Sequence, residues 1–179
     1  DVSGGIYNPD GLNVPAILDY LSLNRKNLLK DYNEEGMSRI TNEELLEMDV
    51  RVLVPAALEN QINASNAHKI RAEVIVEAAN GPVAADADGI LQDRGITVVP
   101  DILANAGGVV VSYFEWVQNI QSVSWTEEEV NEKLKNIMDP AFEAVWDIAM
   151  KQNATLRTGA YLIAVKRVVE AKAARAIWP

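Results

Sequence analysis

The sequence predicts an α/β fold, a parallel sheet followed by C-terminal helices. Three observations carry that prediction. Val50–Val54, Val74–Val76 and Ile96–Val99 are short, β-branched and apolar. Helical stretches lie between them, so the runs read as buried strands of a parallel sheet with right-handed crossovers. Beyond Pro100 the apolar residues recur at helical spacing to the end of the chain.

The elements follow in order. Asp1–Gly11 holds three glycines and a proline and reads as a loop. Asn13 caps a short helix with Pro15 in its first turn and Ile17, Leu18 and Leu21 on one side. The stretch from Asn24 to Arg39 is polar and irregular by pattern. Thr41-Asn42-Glu43-Glu44 forms a capping box, opening a helix that ends near Met48. The three strands come next and end at Pro55, at Ala79-Asn80-Gly81-Pro82 and at Pro100-Asp101. Helices are expected near Ser65–Arg71 and over Ala84–Arg94, the second closed by Gly95. After a loop at Pro100, a helix runs from Ala106 to about Ile120. Thr126-Glu127-Glu128-Glu129 is a second capping box. Val130, Leu134, Ile137, Ala141, Val145 and Ile148 share one face of the helix it starts. Either Pro140 kinks this helix, or Asp139 caps a new one. The last helix is expected from Thr155 to Ile177, with Leu162, Val165, Val169, Ala173 and Ala176 on a common face.

Composition narrows the function classes. The chain has 179 residues, 49% hydrophobic and 23% charged, an ordinary globular balance. Its formal net charge of −10 disfavours nucleic acid or an anionic membrane surface as a partner. Cysteine is absent, which removes disulfides, thiolate chemistry and zinc–cysteine sites. The single histidine, His68, lies among Lys69 and Arg71 and reads as a surface residue. No run approaches the ~18 apolar residues of a membrane span, and no leader pattern opens the chain. We therefore expect a cytoplasmic protein. The abrupt start at Asp1 leads us to expect that residues precede it.

In an open α/β sheet, ligands gather beyond the carboxyl ends of the strands. A Rossmann-like dinucleotide sheet has about six strands and a Gly-x-Gly-x-x-Gly turn after its first. Three strands and no such turn occur here, so the sheet is expected to lack its first strands. Asp1 then falls near the end of a second strand, where an acidic residue binds ribose hydroxyls. Its alternative is a plain turn residue. Pro100-Asp101-Ile102-Leu103-Ala104-Asn105-Ala106-Gly107-Gly108-Val109 is the most informative segment. A strand ends, Asp and Asn follow, and a glycine pair permits close backbone approach at a helix start, where N–H groups suit an anion. A tight turn capped by Asp101 or Asn105 is the other reading.

That segment closely resembles the nucleotide-domain signature of the glutamate, leucine, phenylalanine and valine dehydrogenases. Its continuation Val110-Val111-Ser112-Tyr113-Phe114-Glu115-Trp116 is similar to the glutamate branch. Val54–Gln61, Val76–Pro82 and Gly4–Gly11 match further blocks of the family in the same order, and Ala160–Val168 resembles its last helix. Asn24–Ser38 is the stretch least like the family.

The resemblance implies roles. Ser112 matches the serine that binds the side-chain carboxylate of glutamate; without the resemblance it reads as a helix serine bonded to its own i−4 carbonyl. Asn105 matches the asparagine between nicotinamide and substrate. Gly107, Gly108 and Val109 shape the pocket floor, and Asn80 contacts the nicotinamide half of the cofactor. Pro55, Ala56 and Ala57 match the small-residue block where the dinucleotide crosses the strand ends. Asp10 and Asp101 read mainly as loop and cap residues, and Lys133 and Lys135 as part of a solvated face. The cofactor implied is NAD or NADP, with Asp1 leaning to NAD because a carboxylate repels a 2′-phosphate.

The reaction implied is oxidative deamination of L-glutamate to 2-oxoglutarate and ammonia. The general-base lysine is expected in an N-terminal domain outside this chain, so these residues alone are expected to be inactive. Residues 1–122 are expected to form the dinucleotide-binding domain and 123–179 a helical segment packing back towards the substrate domain. The complete protein is expected to be a homo-hexamer. A leucine, phenylalanine or valine dehydrogenase, or a non-catalytic nucleotide-binding module, are the alternatives, and Ser112 is the residue that separates the first of these.

Overall fold

A computed structural model describes residues 1–175, which fall into two compact units, Asp1–Asp49 and the chain from Val50 onward.

The first unit is built on a two-stranded antiparallel sheet. β1 (Gly5–Tyr7) pairs with β2 (Ser38–Ile40). Both were expected to be irregular. Three residues are too few for an alternating pattern to declare itself, and the pairing is made across thirty residues of chain rather than locally. A single 3-10 turn, Leu29–Asp31, is the other order in the stretch expected to be irregular. α1 (Val14–Leu23) begins as expected: the Asn13 side chain accepts from the Ala16 N–H, and a proline sits in the first turn. Ile17 is buried with Ile6 and Tyr32, and Leu12, Tyr20 and Leu21 pack around them. Leu18 is exposed instead of sharing that face. α2 (Asn42–Leu46) opens with the reciprocal Thr41–Glu44 box and stops two residues short of Met48.

The second unit has the parallel sheet. β3 (Val52–Leu53), β4 (Val74–Val76) and β5 (Thr97–Val99) lie in that order, with β4 central. Val52 faces Val74, and Val76 faces Val99. Ile75 on the central strand is fully buried, as are Ile62, Ile70 and Leu91. Truncating any of these to alanine should cost about 2–5 kcal/mol.

The stretch Ser65–Arg71 is not a helix. Only Ala67–Lys69 makes a 3-10 turn. The Asn63 carboxamide accepts from the Ser65 N–H and hydroxyl, and Asn66 accepts from the Asn63 N–H. Asparagine side chains thus take donors that a helix would use. α3 (Ala85–Asp93) packs on this turn and on β5, and Gly95 follows it at φ +73°.

Past β5 the chain makes a short helix, α4 (Asp101–Ala104), where a loop was expected. α5 (Ala106–Gln121) follows directly, ending at Ser122 in the left-handed region. α6 (Glu127–Gln152) starts at the Thr126–Glu129 capping box and runs unbroken through Pro140, so Asp139 caps nothing. It buries Val145 and Ala149, while Ile137 is exposed. α7 (Leu156–Ala174) packs on α6, β5 and α4, with Leu156 and Ala160 buried beside Leu103. Leu162, Val165 and Val169 of its expected apolar face are exposed. Ala176 and Ile177, expected in the same helix, lie outside the described residues. No helix among the described residues is long and apolar enough to cross a membrane.

Candidate functional site

The carboxyl ends of β3, β4 and β5 open onto one cleft of about 670 Å³. Ala56, Ala57, Leu58 and Glu59 line it from the turn after β3, and Ala78, Ala79 and Asn80 from the turn after β4. Asn105, Gly108 and Val109 close it from the start of α5. Six of the residues picked from sequence therefore meet here: Ala56, Ala57, Asn80, Asn105, Gly108 and Val109.

Asn80 and Asn105 are joined directly. Asn105 Nδ2 donates to Asn80 Oδ1 at 2.7 Å and reaches the Ala78 carbonyl at 3.4 Å. That leaves the Asn80 Nδ2 donor and the Asn105 Oδ1 acceptor without partners among the described residues. The cleft thus presents one amide donor and one amide acceptor on a mostly small-residue wall. Glu59 is the one ionisable group on that wall.

The other candidates take different places. A side chain at Gly108 would meet nothing within 4 Å, so this glycine leaves ligand space open. Gly107 faces away, with Leu134 3.6 Å from where its Cβ would be. Ser112 sits one helical turn beyond Gly108 and Val109 on the same face of α5. It is exposed, and its hydroxyl makes no bond to the i−4 carbonyl or to any other described residue. Pro55 is buried behind the cleft, its carbonyl accepting from the Ala78 and Ala79 N–H groups. Asp1 belongs to the first unit. Its carboxylate accepts from the Ser3 N–H and hydroxyl at one oxygen and from the Leu29 N–H at the other. At the strand-to-helix turn two backbone donors are already engaged, the Asn105 N–H on the Asp101 carbonyl and the Gly108 N–H on the Asn105 carbonyl.

Sequence reading missed what lies under the cleft. Glu77, one residue past β4, has no exposed surface. Its Oε1 accepts from Arg157 Nη2 at 2.7 Å and from the Val83 N–H at 3.3 Å; its Oε2 accepts from the Asp101 N–H at 2.7 Å. Arg157 Nε lies 2.9 Å from Asp88, an ion contact without hydrogen-bond alignment, and Nη1 lies 3.6 Å from Asp101. Asp101 is thus no simple cap: its Oδ2 accepts from the Gly81 N–H at 2.8 Å. Burial works against the Arg157 charge. The Glu77 hydrogen bond and the Glu77 and Asp88 charges outweigh it, so the guanidinium's pKa is raised. The sequence signal was the charged Glu77 beside an apolar strand, where a buried carboxylate demands a cation.

His68 is exposed, as expected. Lys135 pairs with Asp139 on α6. Lys133 is exposed, as expected, and lies 4.8 Å over the Trp125 ring.

Comparison with known proteins bears on this arrangement. The sequence pattern described as Glutamate/Leucine/Phenylalanine/Valine dehydrogenase matches residues 1–176. The chain is 50% identical, over 171 residues, to the catabolic NAD-specific glutamate dehydrogenase of Bacillus subtilis, covering 96% of this chain and 39% of that one. It is 52% identical to the NADP-specific glutamate dehydrogenase A1 of Halobacterium salinarum, covering 100% and 42%. The hetero-hexameric glutamate dehydrogenase of Thermus thermophilus, in its Leu bound form, superposes with a TM-score of 0.86 at 32% identity, covering 98% and 40%. The chain spans about two fifths of the length of these relatives.

Proposed function

Since the chain belongs to the Glutamate/Leucine/Phenylalanine/Valine dehydrogenase family, we propose that it forms the cofactor-facing wall of a glutamate dehydrogenase, which converts L-glutamate to 2-oxoglutarate and ammonia. The observation that carries this reading is the Asn105–Asn80 pair at the mouth of the strand-end cleft.

The residues fit a nicotinamide dinucleotide. A carboxamide has one donor edge and one acceptor edge, and the free amide atoms of Asn80 and Asn105 complement both. The absent side chain at Gly108 leaves room beside them, and Ala56 and Ala57 keep the rim low. Bound there, the cofactor supplies the hydride acceptor. This chain's residues orient it. Val109 covers one side of the cleft, and the unpartnered Ser112 hydroxyl can donate to the far carboxylate of the substrate. The Gly107 backbone forms the turn on which both are set. No lysine lines the cleft, so the base that deprotonates the substrate amine is supplied from outside these residues. NAD or NADP would serve, since the compared relatives are specific for one or the other.

The same reading gives residues 1–122 to dinucleotide binding, with Asp1 and Pro55 in that part, and 123–179 to the helices that meet the substrate domain. The complete enzyme would be a homo-hexamer working in the cytoplasm, where its dinucleotide and 2-oxoglutarate are found.

The test is steady-state kinetics of the full-length protein with glutamate and with leucine. We expect glutamate to be preferred. Ser112→Ala should lower kcat/KM for glutamate by roughly 10- to 100-fold, the worth of one hydrogen bond to a charged group, and leave leucine nearly unchanged. Equal rates on both substrates before and after the substitution would remove the glutamate reading.

A further inference from the structure

The cleft wall is set by a buried ion cluster whose only cation among the described residues, Arg157, is delivered by a distant helix. Glu77 follows β4, Val83 ends the loop that carries Asn80, and Asp101 opens α4. One carboxylate binds the backbone of both Val83 and Asp101 while Arg157 neutralises it. Asp101 then accepts from the Gly81 N–H, next to Asn80. Gly81 itself has φ +56°, a left-handed conformation that fixes the turn direction. A parallel segment braces the other side: Asn60 donates to the Gly81 carbonyl and Ile62 to the Pro82 carbonyl. The loop is therefore held at three consecutive residues, and the Asn80 amide is aimed by its neighbours rather than by contacts of its own outside the cleft.

Three carboxylates surround the one guanidinium: Glu77, Asp88 and Asp101. Glu77 is wholly buried, Asp88 and Asp101 partly so. Like charges this close repel strongly in a medium poorer than water. Remove the cation, and Glu77 either takes a proton or draws in water. In both cases it grips the Val83 and Asp101 N–H groups less well. The planar guanidinium reaches all three partners at once, which an ammonium cannot do.

We infer that Arg157 is a positioning residue of the dinucleotide cleft, acting through Glu77 and Asp101 to fix the Asn80 loop against Asn105 and so to set the grip on the nicotinamide half of the cofactor. The inference rests on the dehydrogenase reading above. It touches no reacting atom: Arg157 acts on the geometry of the two amides, and α7 thereby reports its docking on β5 and α4 to the cofactor site.

The experiment compares full-length wild type with R157M, R157K and E77Q. Each is first checked by thermal unfolding. Dissociation constants are then measured for the dinucleotide the enzyme uses and for its fragment lacking nicotinamide, the corresponding ADP-ribose. We expect R157M to weaken the whole dinucleotide about tenfold or more, on the scale of one charge-assisted bond, and to leave the fragment within twofold. R157K should recover part of the loss. E77Q keeps the volume but has one acceptor oxygen for three donors, so it should show the same selective loss in milder form. If R157M does not fold, R157K and E77Q decide by the same criterion. A folded variant set with unchanged dinucleotide affinity overturns the inference, and so does an equal loss for dinucleotide and fragment, which is the mark of general loosening. A wild type that binds neither ligand overturns the dehydrogenase reading itself.

Discussion

Asn105 and Asn80 show how much a single side-chain bond can organise. The 2.7 Å contact spends one donor and one acceptor and leaves one of each for a ligand. These residues were legible because each stands in a short block at a strand end that resembles the family; their local chemistry alone reads as a turn or a cap. The cluster below was not legible. Glu77 and Arg157 are 80 residues apart, and nothing local says which cation will answer a buried carboxylate. Tyr32 is another residue whose state depends on a partner. Burial, a hydrogen bond to Glu34 Oε2 at 3.0 Å and the Glu34 charge all raise its pKa above 10.0. A phenol with a raised folded-state pKa contributes stability that is complete below its unfolded pKa and is lost as pH rises through the folded value. Tyr32→Phe should therefore be destabilising near neutral pH, and the difference from wild type should close above pH 10 as the folded-state phenol ionises. Denaturant midpoints of both proteins across that range check it. A difference that widens with alkaline pH would contradict the assignment.

At the scale of elements, local chemistry decided most of the outcome. Both capping boxes form as written in the sequence, with Thr126 accepting from Glu129 and Glu129 from Thr126. Thr126→Ala should lower stability by about 1 kcal/mol, read from chemical denaturation, while Thr126→Ser should change little. The strands β3 to β5 were visible because β-branched runs leave few alternatives. The antiparallel pair β1–β2 was not, since its register joins distant partners, from Gly5 with Ile40 to Tyr7 with Ser38. Pro140 could not be resolved from sequence, because its effect depends on whether packing on either side holds the helix together. α6 stays continuous there. The meeting of α6 and α7 depends on Gly159. A Cβ at that position would lie 2.9 Å from the Val145 carbonyl oxygen and 3.1 Å from the Ala149 Cβ. Backbone cannot yield as a flexible side chain would, so Gly159→Ala should cost about 1–3 kcal/mol through overpacking, despite alanine's better helix propensity. A rise in the denaturation midpoint would show that the helices can move apart freely.

Among the described residues, each of the two units has buried residues of its own. The first unit buries Ile6, Ile17 and Tyr32, whereas the second buries the sheet residues and the α6–α7 contact. A smaller core opens at lower free energy. Amide hydrogen exchange in the full-length protein should therefore find β1 and β2 less protected than β4 and β5, and equal protection would refute the difference in local stability. All four tryptophans of the sequence follow residue 50, whereas three of the five tyrosines, Tyr7, Tyr20 and Tyr32, precede it. The chain has in effect been given two optical labels. No tryptophan belongs to the first unit. Trp116 and Trp125 lie on α5 or just past its end, with Tyr113 tilted against Trp116 and Phe114 edge-on to Trp125. The emission of these rings therefore follows α5, the helix that Asn105 precedes, and it offers a reporter of events at the cleft that needs no added probe.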